Sequence, residues 1–352
     1  MATPTEARVL TEAEYPAWSA LAATSPDGSP YSLPDYLDAL CGAAGGSFAV
    51  LGAFRADVLV GGVALYLRHG TGGRWAGPRL LLYYQSPVLQ RAESKYPSVR
   101  TSRDLETLGA LGDAISALGL DAATLKFRHT IADVRPFLER GWSVRPSYSY
   151  VVPLDNLAAQ RGLVEQNLRR LVDRCERDGL TVAEDDDFAS FHALHVRTLD
   201  RKDAHPYLPP GPFRRYWEGI RRAGLGRLYH ARLADGRAIA SQLVVAGRHP
   251  LAHTVSAASD PDFLRMGANA FLRWKAFEAL HAAGYAANDL TDAALNPVTH
   301  FKAQFGGELV LCHVADQPSS RRWRAARARE RMVARLRSAA RRLAGGGGEG
   351  AR

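Results

Sequence analysis

Apolar positions along the chain change period repeatedly, and each change marks an element. In the first half, spacings of three and four predict helices from Glu12 to Ala22 and from Leu33 to Leu40. Alternating or continuous apolar runs then predict strands at Phe48 to Phe54, Leu59 to Leu67 and Leu80 to Tyr84. An apolar-stripe helix from Leu105 to Leu118 leads to a strand at Ala123 to Phe127. A short helix, Ile131 to Glu139, and a strand, Trp142 to Val152, close the half.

The second half runs through the same order. Helices are predicted at Leu163 to Arg177, Phe188 to Asp200 and Pro212 to Arg222, followed by strands at Arg227 to Leu233, Ala238 to Val245 and Ala252 to Ala257. A helix from Ala268 to Ala282, a strand at Ala287 to Leu290, a short helix ending at Phe305 and a strand from Glu308 to Val314 complete it. Local residues correspond as well, with Phe137, Leu138 and Gly141 answering Phe301, Lys302 and Gly306. The pattern reads as one α/β unit used twice, although α/β units also resemble one another by physics alone.

Beyond Pro318 the pattern differs in kind. Trp323, Ala326, Val333, Leu336, Ala340 and Leu343 recur at helical spacing, and Arg324, Arg327, Arg331, Arg335 and Arg342 form a second stripe. This predicts a basic amphipathic helix appended to the second lobe, stopped by the glycines from Gly345 onward. The expected domains are therefore lobes at 1–155 and 156–316, an arginine-rich helix at 317–344 and a disordered tail at 345–352.

Charge sharpens the picture at this one place. The net charge of +9 is matched by the ten arginines and one glutamate between Arg321 and Arg342, so the rest of the chain is neutral. An arginine helix suits an RNA backbone, an anionic membrane surface or a solubilising role, and all three stay open. Three scattered cysteines (Cys41, Cys175, Cys312) indicate neither a disulfide framework nor a thiolate metal site. With no signal-like start and no long apolar run, the expected compartment is the cytoplasm.

Candidate chemistry concentrates in DLTDAALNPVTHFKAQFGG, Asp289 to Gly307. A strand ends in an acid, a polar loop with Thr291, Asp292 and Asn296 follows, and a short helix carries Phe301 and Lys302 ahead of Phe305 and Gly306. Ligands of open α/β sheets gather beyond the carboxyl ends of strands, which puts a site at this loop. The first copy has leucine in the place of Lys302, as expected of a scaffolding lobe beside an active one. A solvated surface lysine is the competing reading.

Together with the DPDF turn after Ser259 and the helix ending at Gly284, these residues resemble the carboxyl-terminal lobe of Fem-type transferases. The resemblance is clear over roughly residues 160–315 and weak over the first lobe. It implies two tandem GNAT-like (acyl-CoA N-acyltransferase-like) lobes with mixed sheets, and transfer of an amino acid from aminoacyl-tRNA to an amine of a peptidoglycan precursor or natural-product intermediate. It further implies that Lys302 stabilises charge developing on the transferred ester and that the Phe301 carbonyl steers the acceptor amine. No cofactor and no metal are expected. Asp289 either orients the loop or takes the amine's proton. The resemblance places Arg201 at acceptor phosphates with Lys202 behind it; the alternative for this pair is a basic helix end complementing the dipole. A second family lysine has no counterpart in SPYSLPDYLDAL.

Further expectations are less specific. Tyr83, Tyr84 and Gln85 are candidates for the lining of the groove between lobes, with Tyr84 as a contact for a small-molecule or peptide amine acceptor; half-buried packing is the alternative for these residues. His192 and His195 share a helix face near His205, without a third ligand at diagnostic spacing. Arg265 to Ala270 misses by one residue the glycine loop with which acetyl-CoA users cradle pyrophosphate, which favours aminoacyl-tRNA over acyl-CoA as donor. The arginine stripe (Arg324, Arg327, Arg331, Arg335) is the expected tRNA contact, with peripheral membrane contact as its alternative. An idle scaffold carrying an RNA- or membrane-binding helix is the remaining, non-enzymatic reading.

Overall fold

The computed structural model describes residues 4–345. In chain order its first half contains β1 (Thr5–Val9), α1 (Tyr15–Thr24), α2 (Pro34–Ala44), β2 (Ser47–Arg55), β3 (Val58–Gly70), β4 (Gly73–Ala76), β5 (Val88–Leu89), α3 (Pro97–Ala117), β6 (Ala122–Lys126), α4 (Arg135–Glu139) and β7 (Ser143–Pro153). The second contains α5 (Leu157–Leu163), α6 (Gln166–Arg177), β8 (Thr181–Glu184), α7 (Phe188–Arg201), α8 (Pro210–Arg222), β9 (Gly226–Arg232), β10 (Ala238–Val245), β11 (Leu251–Ser259), α9 (Ala268–Ala282), β12 (Ala287–Asp289), α10 (Pro297–Ala303) and β13 (Glu308–Asp316). Helix α11 (Arg321–Gly345) follows.

The fold is α/β, and most elements repeat in order, β5, α5 and α6 standing outside the correspondence. β1-α1-α2-β2-β3-β4 is answered by β8-α7-α8-β9-β10-β11, and α3-β6-α4-β7 by α9-β12-α10-β13. Both halves join one mixed sheet of order β1-β2-β3-β4-β6-β13-β7-β12-β11-β10-β9-β8. In each half one strand pair is parallel, β4 with β6 and β11 with β12, bridged by the long helices α3 and α9.

The last strands are exchanged. β7 pairs with β12 of the second half and β13 with β6 of the first, while β7 and β13 pair antiparallel from Ser143↔Asp316 to Val151↔Glu308. A boundary at 155/156 thus separates the sequence repeats but not the hydrogen-bonded sheets.

Helices α2 and α8 pack against each other across the repeat, burying Leu37, Leu40, Phe213, Trp217 and Ile220 in one shared core. Their approach is close enough that a Cβ on Gly219 would lie 2.7 Å from that of Ala39, which is why glycine stands there. Tyr36 and Tyr216 bond hydroxyl to hydroxyl at 2.8 Å inside this contact. Each half has its own core besides, under α3 and under α9.

Several expectations are corrected. The apolar run Leu80 to Tyr84 is not a strand but a buried loop: Arg79 and Leu82 form an isolated bridge and Leu81 has φ +75°. The helix expected at Leu163 to Arg177 breaks at Val164, whose extended backbone separates α5 from α6. The arginine helix belongs beside the first half. Trp323 packs on Trp75 with ring centroids 5.6 Å apart and lies over Gly72, and Ser320 caps the helix while bonding Asp121. Residues 346–352, the greater part of the predicted tail, lie outside the described residues.

Candidate functional site

The site begins where β12 ends. Asp289 is 1% exposed and both its carboxylate oxygens are engaged. Ser149 on β7 and the Thr291 amide donate to Oδ1, and the Tyr84 hydroxyl donates to Oδ2 at 2.7 Å. Burial works to raise the acid's pKa, yet the His253 ring and these three donors together hold it below the usual value. Burial pushes the pKa of the His253 ring itself down to about 3, so it carries the charge that favours the Asp289 anion only in the acid range where the two titrate together. Asp289 is therefore a fixed anion beneath the loop. Tyr84, expected to contact substrate, is 1% exposed and supports that anion from below.

The acid organises a strained turn. Thr291 and Asp292 both have positive φ, 46° and 62°, a conformation that non-glycine residues hold only when their surroundings impose it. Asp289 fixes the Thr291 amide, and Thr291 Oγ1 donates to Thr254 O at 2.7 Å. Lys302 then reaches back from α10 and donates to the carbonyls of Thr291 and of Asp292, the latter at 2.7 Å. An ammonium has three donors, so one remains for the cavity in front of it. Burial, then the nearby Arg273 guanidinium, lowers the Lys302 pKa to about 8.

Helix α10 is fixed at both ends. Asn296, expected to bind substrate, is its N-cap and accepts from the Thr299 amide at 3.0 Å. At the other end the Phe305 amide donates to Lys302 O, which releases the Phe301 carbonyl from the helical ladder. The turn that follows needs Gly306 at φ +72°, with Gln160 of α5 bonded to Phe305 O at 2.8 Å.

A cavity of about 240 Å³ opens against this frame, and Lys202, Thr291, Asp292, Asn296 and Lys302 all line it. Tyr83, Tyr207 and Ser256 line it too. Arg201, one residue from Lys202, is exposed at the end of α7. Ser256 Oγ stands 3.3 Å from His195 Nδ1, but burial lowers that ring to about 4 and its Nε2 meets no partner among the described residues, so this is no nucleophile with an oriented base. Burial also pushes the thiols of Cys41, Cys175 and Cys312 up to about 11.

Two cations were not singled out from the sequence. Lys126 ends β6, and its Nζ is 3.8 Å from Asp292 Oδ1; the ladder position that Asp289 holds in the second half is taken in the first by Thr124. Arg273 lies mid-helix in α9, 4% exposed, and lines the cavity. The signal available for it was a charge among Phe271, Leu272, Trp274 and Phe277, on a helix apolar nearly all round.

The helix start at which a pyrophosphate would sit is covered. Gly267 is buried, and a Cβ there would fall 2.9 Å from the Leu171 side chain of α6. Arg174 bonds Arg265 O and Met266 O, and Cys175 bonds Met266 O. On α11, Arg327 pairs with Glu330 at 2.6 Å and covers the Trp323 ring, whereas Arg324 and Arg331 are exposed. The Arg335 side chain lies outside the described residues. No helix among the described residues is long and apolar enough to cross a membrane.

Residues 163–303 match the family model described as an acetyltransferase (GNAT) domain. No curated protein matches the chain. Among solved structures the chain is similar to FemX, with TM-score 0.67 and 13% identity over 88% of this chain and 96% of that one. It is similar also to L-PGS from Bacillus licheniformis (TM-score 0.53, 13% identity, 87% and 97% covered). A tandem GNAT protein from the clavulanic acid biosynthesis pathway gives TM-score 0.52 at 13% identity, with 90% and 100% covered. At such identities the likeness is one of fold, a tandem GNAT-like one.

Proposed function

We propose that this chain, GNAT-like in fold and of the Fem type, is an N-acyltransferase that takes its acyl group from aminoacyl-tRNA and passes it to an amine. The observation that carries the reading is Lys302, a cation held against two backbone carbonyls at the wall of the cavity with one donor left over. An ester is already activated, so an amine attacks it directly. The C–N bond forms, the ester C–O bond breaks, and the amine's proton ends on the released hydroxyl. What the protein must supply is a fixed positive charge where the oxyanion grows. The position of Lys302 at the cavity wall supports that role; Phe301 does not line the cavity, and its carbonyl, free of the helical ladder, is assigned to the attacking amine's N–H only as part of this reading.

A coenzyme A donor is the second reading, favoured by the description of the matched family model. Against it stands α6 lying across the first turn of α9. The donor is tested by incubating the protein with mixed charged tRNA and candidate amines, with and without RNase. Product that disappears with RNase is expected. Product that survives RNase and requires acyl-CoA overturns the tRNA donor.

The exposed arginines of α11 give a separate expectation. Substituting Arg324 and Arg331 together by alanine should lower tRNA affinity and reduce the slope of log K against log salt by roughly two, about one for each phosphate that the variant no longer neutralises. An unchanged slope removes α11 from the tRNA surface.

A further inference from the structure

We propose that the cavity beside Lys302 is a receptor for a carboxylate carried by the acceptor, and that Arg273 is the group that grips it. The guanidinium is buried in the middle of α9, with the rings of Phe301 and Phe305 at 5.9 and 5.6 Å from Cζ. Its Nε and Nη1 are buried and meet no hydrogen-bond partner among the described residues. Two aromatic faces near the outer limit of about 6 Å return only part of what desolvating such a charge costs. Burial lowers its pKa only to about 10, so it is charged at neutral pH.

No neighbouring acid among the described residues is available to it. Asp289 is committed to Ser149, Tyr84 and Thr291, and the Asp292 carboxylate faces Lys126. Nor does the fold require a cation there. Measured back from the left-handed glycines that end the two equivalent helices, Gly119 and Gly284, the place of Arg273 is taken in the first half by Leu108, also buried. Buried donors without a partner, on a side chain that lines the cavity, mark an unfilled anion site.

The chemistry of the anion follows from shape and room. A planar fork matches a carboxylate with two parallel bonds. About 240 Å³ holds an amino-acid-sized group, with Lys202 and Lys302 adding positive charge on the same walls. The acceptor is thus an amine that bears a carboxylate, such as an amino acid or a short peptide. That it is the acceptor rests on the transfer reading; the carboxylate site itself does not.

The test involves no transfer, so its failure is separate from that of the proposed function. Thermal unfolding of the full chain is followed against sodium acetate, inorganic phosphate and, for ionic strength, sodium chloride, in the wild type and in Arg273→Met and Arg273→Lys. Acetate should raise the wild-type melting temperature saturably, at roughly tenfold lower concentration than phosphate, because the pocket is shaped for a planar anion. Arg273→Met should melt at least as high as the wild type and lose the acetate effect. In parallel, the Nε–Hε resonance absent from Arg273→Lys should shift on acetate addition. Saturation by phosphate before acetate overturns the carboxylate assignment. Absence of a saturable shift with either anion, or equal protection of wild type and Arg273→Met, overturns the site.

Discussion

Lys302→Ala should lower turnover about a hundredfold or more, the loss expected when a preorganised donor to a growing oxyanion is removed. A loss below about threefold with the fold intact, measured by single-turnover transfer, would place the catalytic charge elsewhere. The same side chain sets a pH dependence. With its pKa lowered to about 8, Lys302 is protonated at neutral pH and loses its charge as pH rises through 8. Turnover that depends on the ammonium should fall there. Lys302→Arg keeps its charge across that range, so whatever activity it retains should lack the alkaline decline. A decline shared by both proteins would have another origin.

Asp289→Ala should cost stability rather than chemistry alone. The substitution strips the Tyr84 hydroxyl, the Ser149 hydroxyl and the Thr291 amide of their acceptor, all of them buried. Leaving buried donors without an acceptor costs about 1–3 kcal/mol each, so the three together should cost on the order of 3–5 kcal/mol, measurable by urea unfolding. The sign with pH is fixed by the lowered native pKa. The contribution of Asp289 is present above the unfolded value near 3.9 and is lost as pH falls through the lower native one. A variant unfolding within about 1 kcal/mol of wild type would contradict the anchoring role. Activity should fall too, because the Thr291–Asp292 turn that seats Lys302 loses its footing.

The long elements were legible because burial on one face writes a period into them. The edge strands β1 and β8 were not: TEARV and TVAE are short and interrupted by charge, as sheet edges commonly are. The run Leu80 to Tyr84 misled for the opposite reason, since a loop threading a core is as apolar as a strand. At the site, the loop and Lys302 were readable from the order strand, acid, polar loop, helix. The division of labour was not. That Tyr84 and Asp289 sit under the cavity, Asn296 caps a helix and Arg273 meets no hydrogen-bond partner among the described residues depends on side chains brought together from distant segments. Strand exchange was equally invisible, because either final strand carries a pattern suited to either partner.

That exchange bears on how molecules reach the cavity. In a chain whose lobes touch only side by side, a cleft can gape by hinging. Here the β7–β13 ladder, spanning Ser143↔Asp316 to Val151↔Glu308, runs through the junction, and prying the halves apart would tear that seam. Traffic to the cavity is therefore a matter of its own rim, where the segment joining α7 to α8 contributes Lys202 and Tyr207, and not of a hinge between the halves.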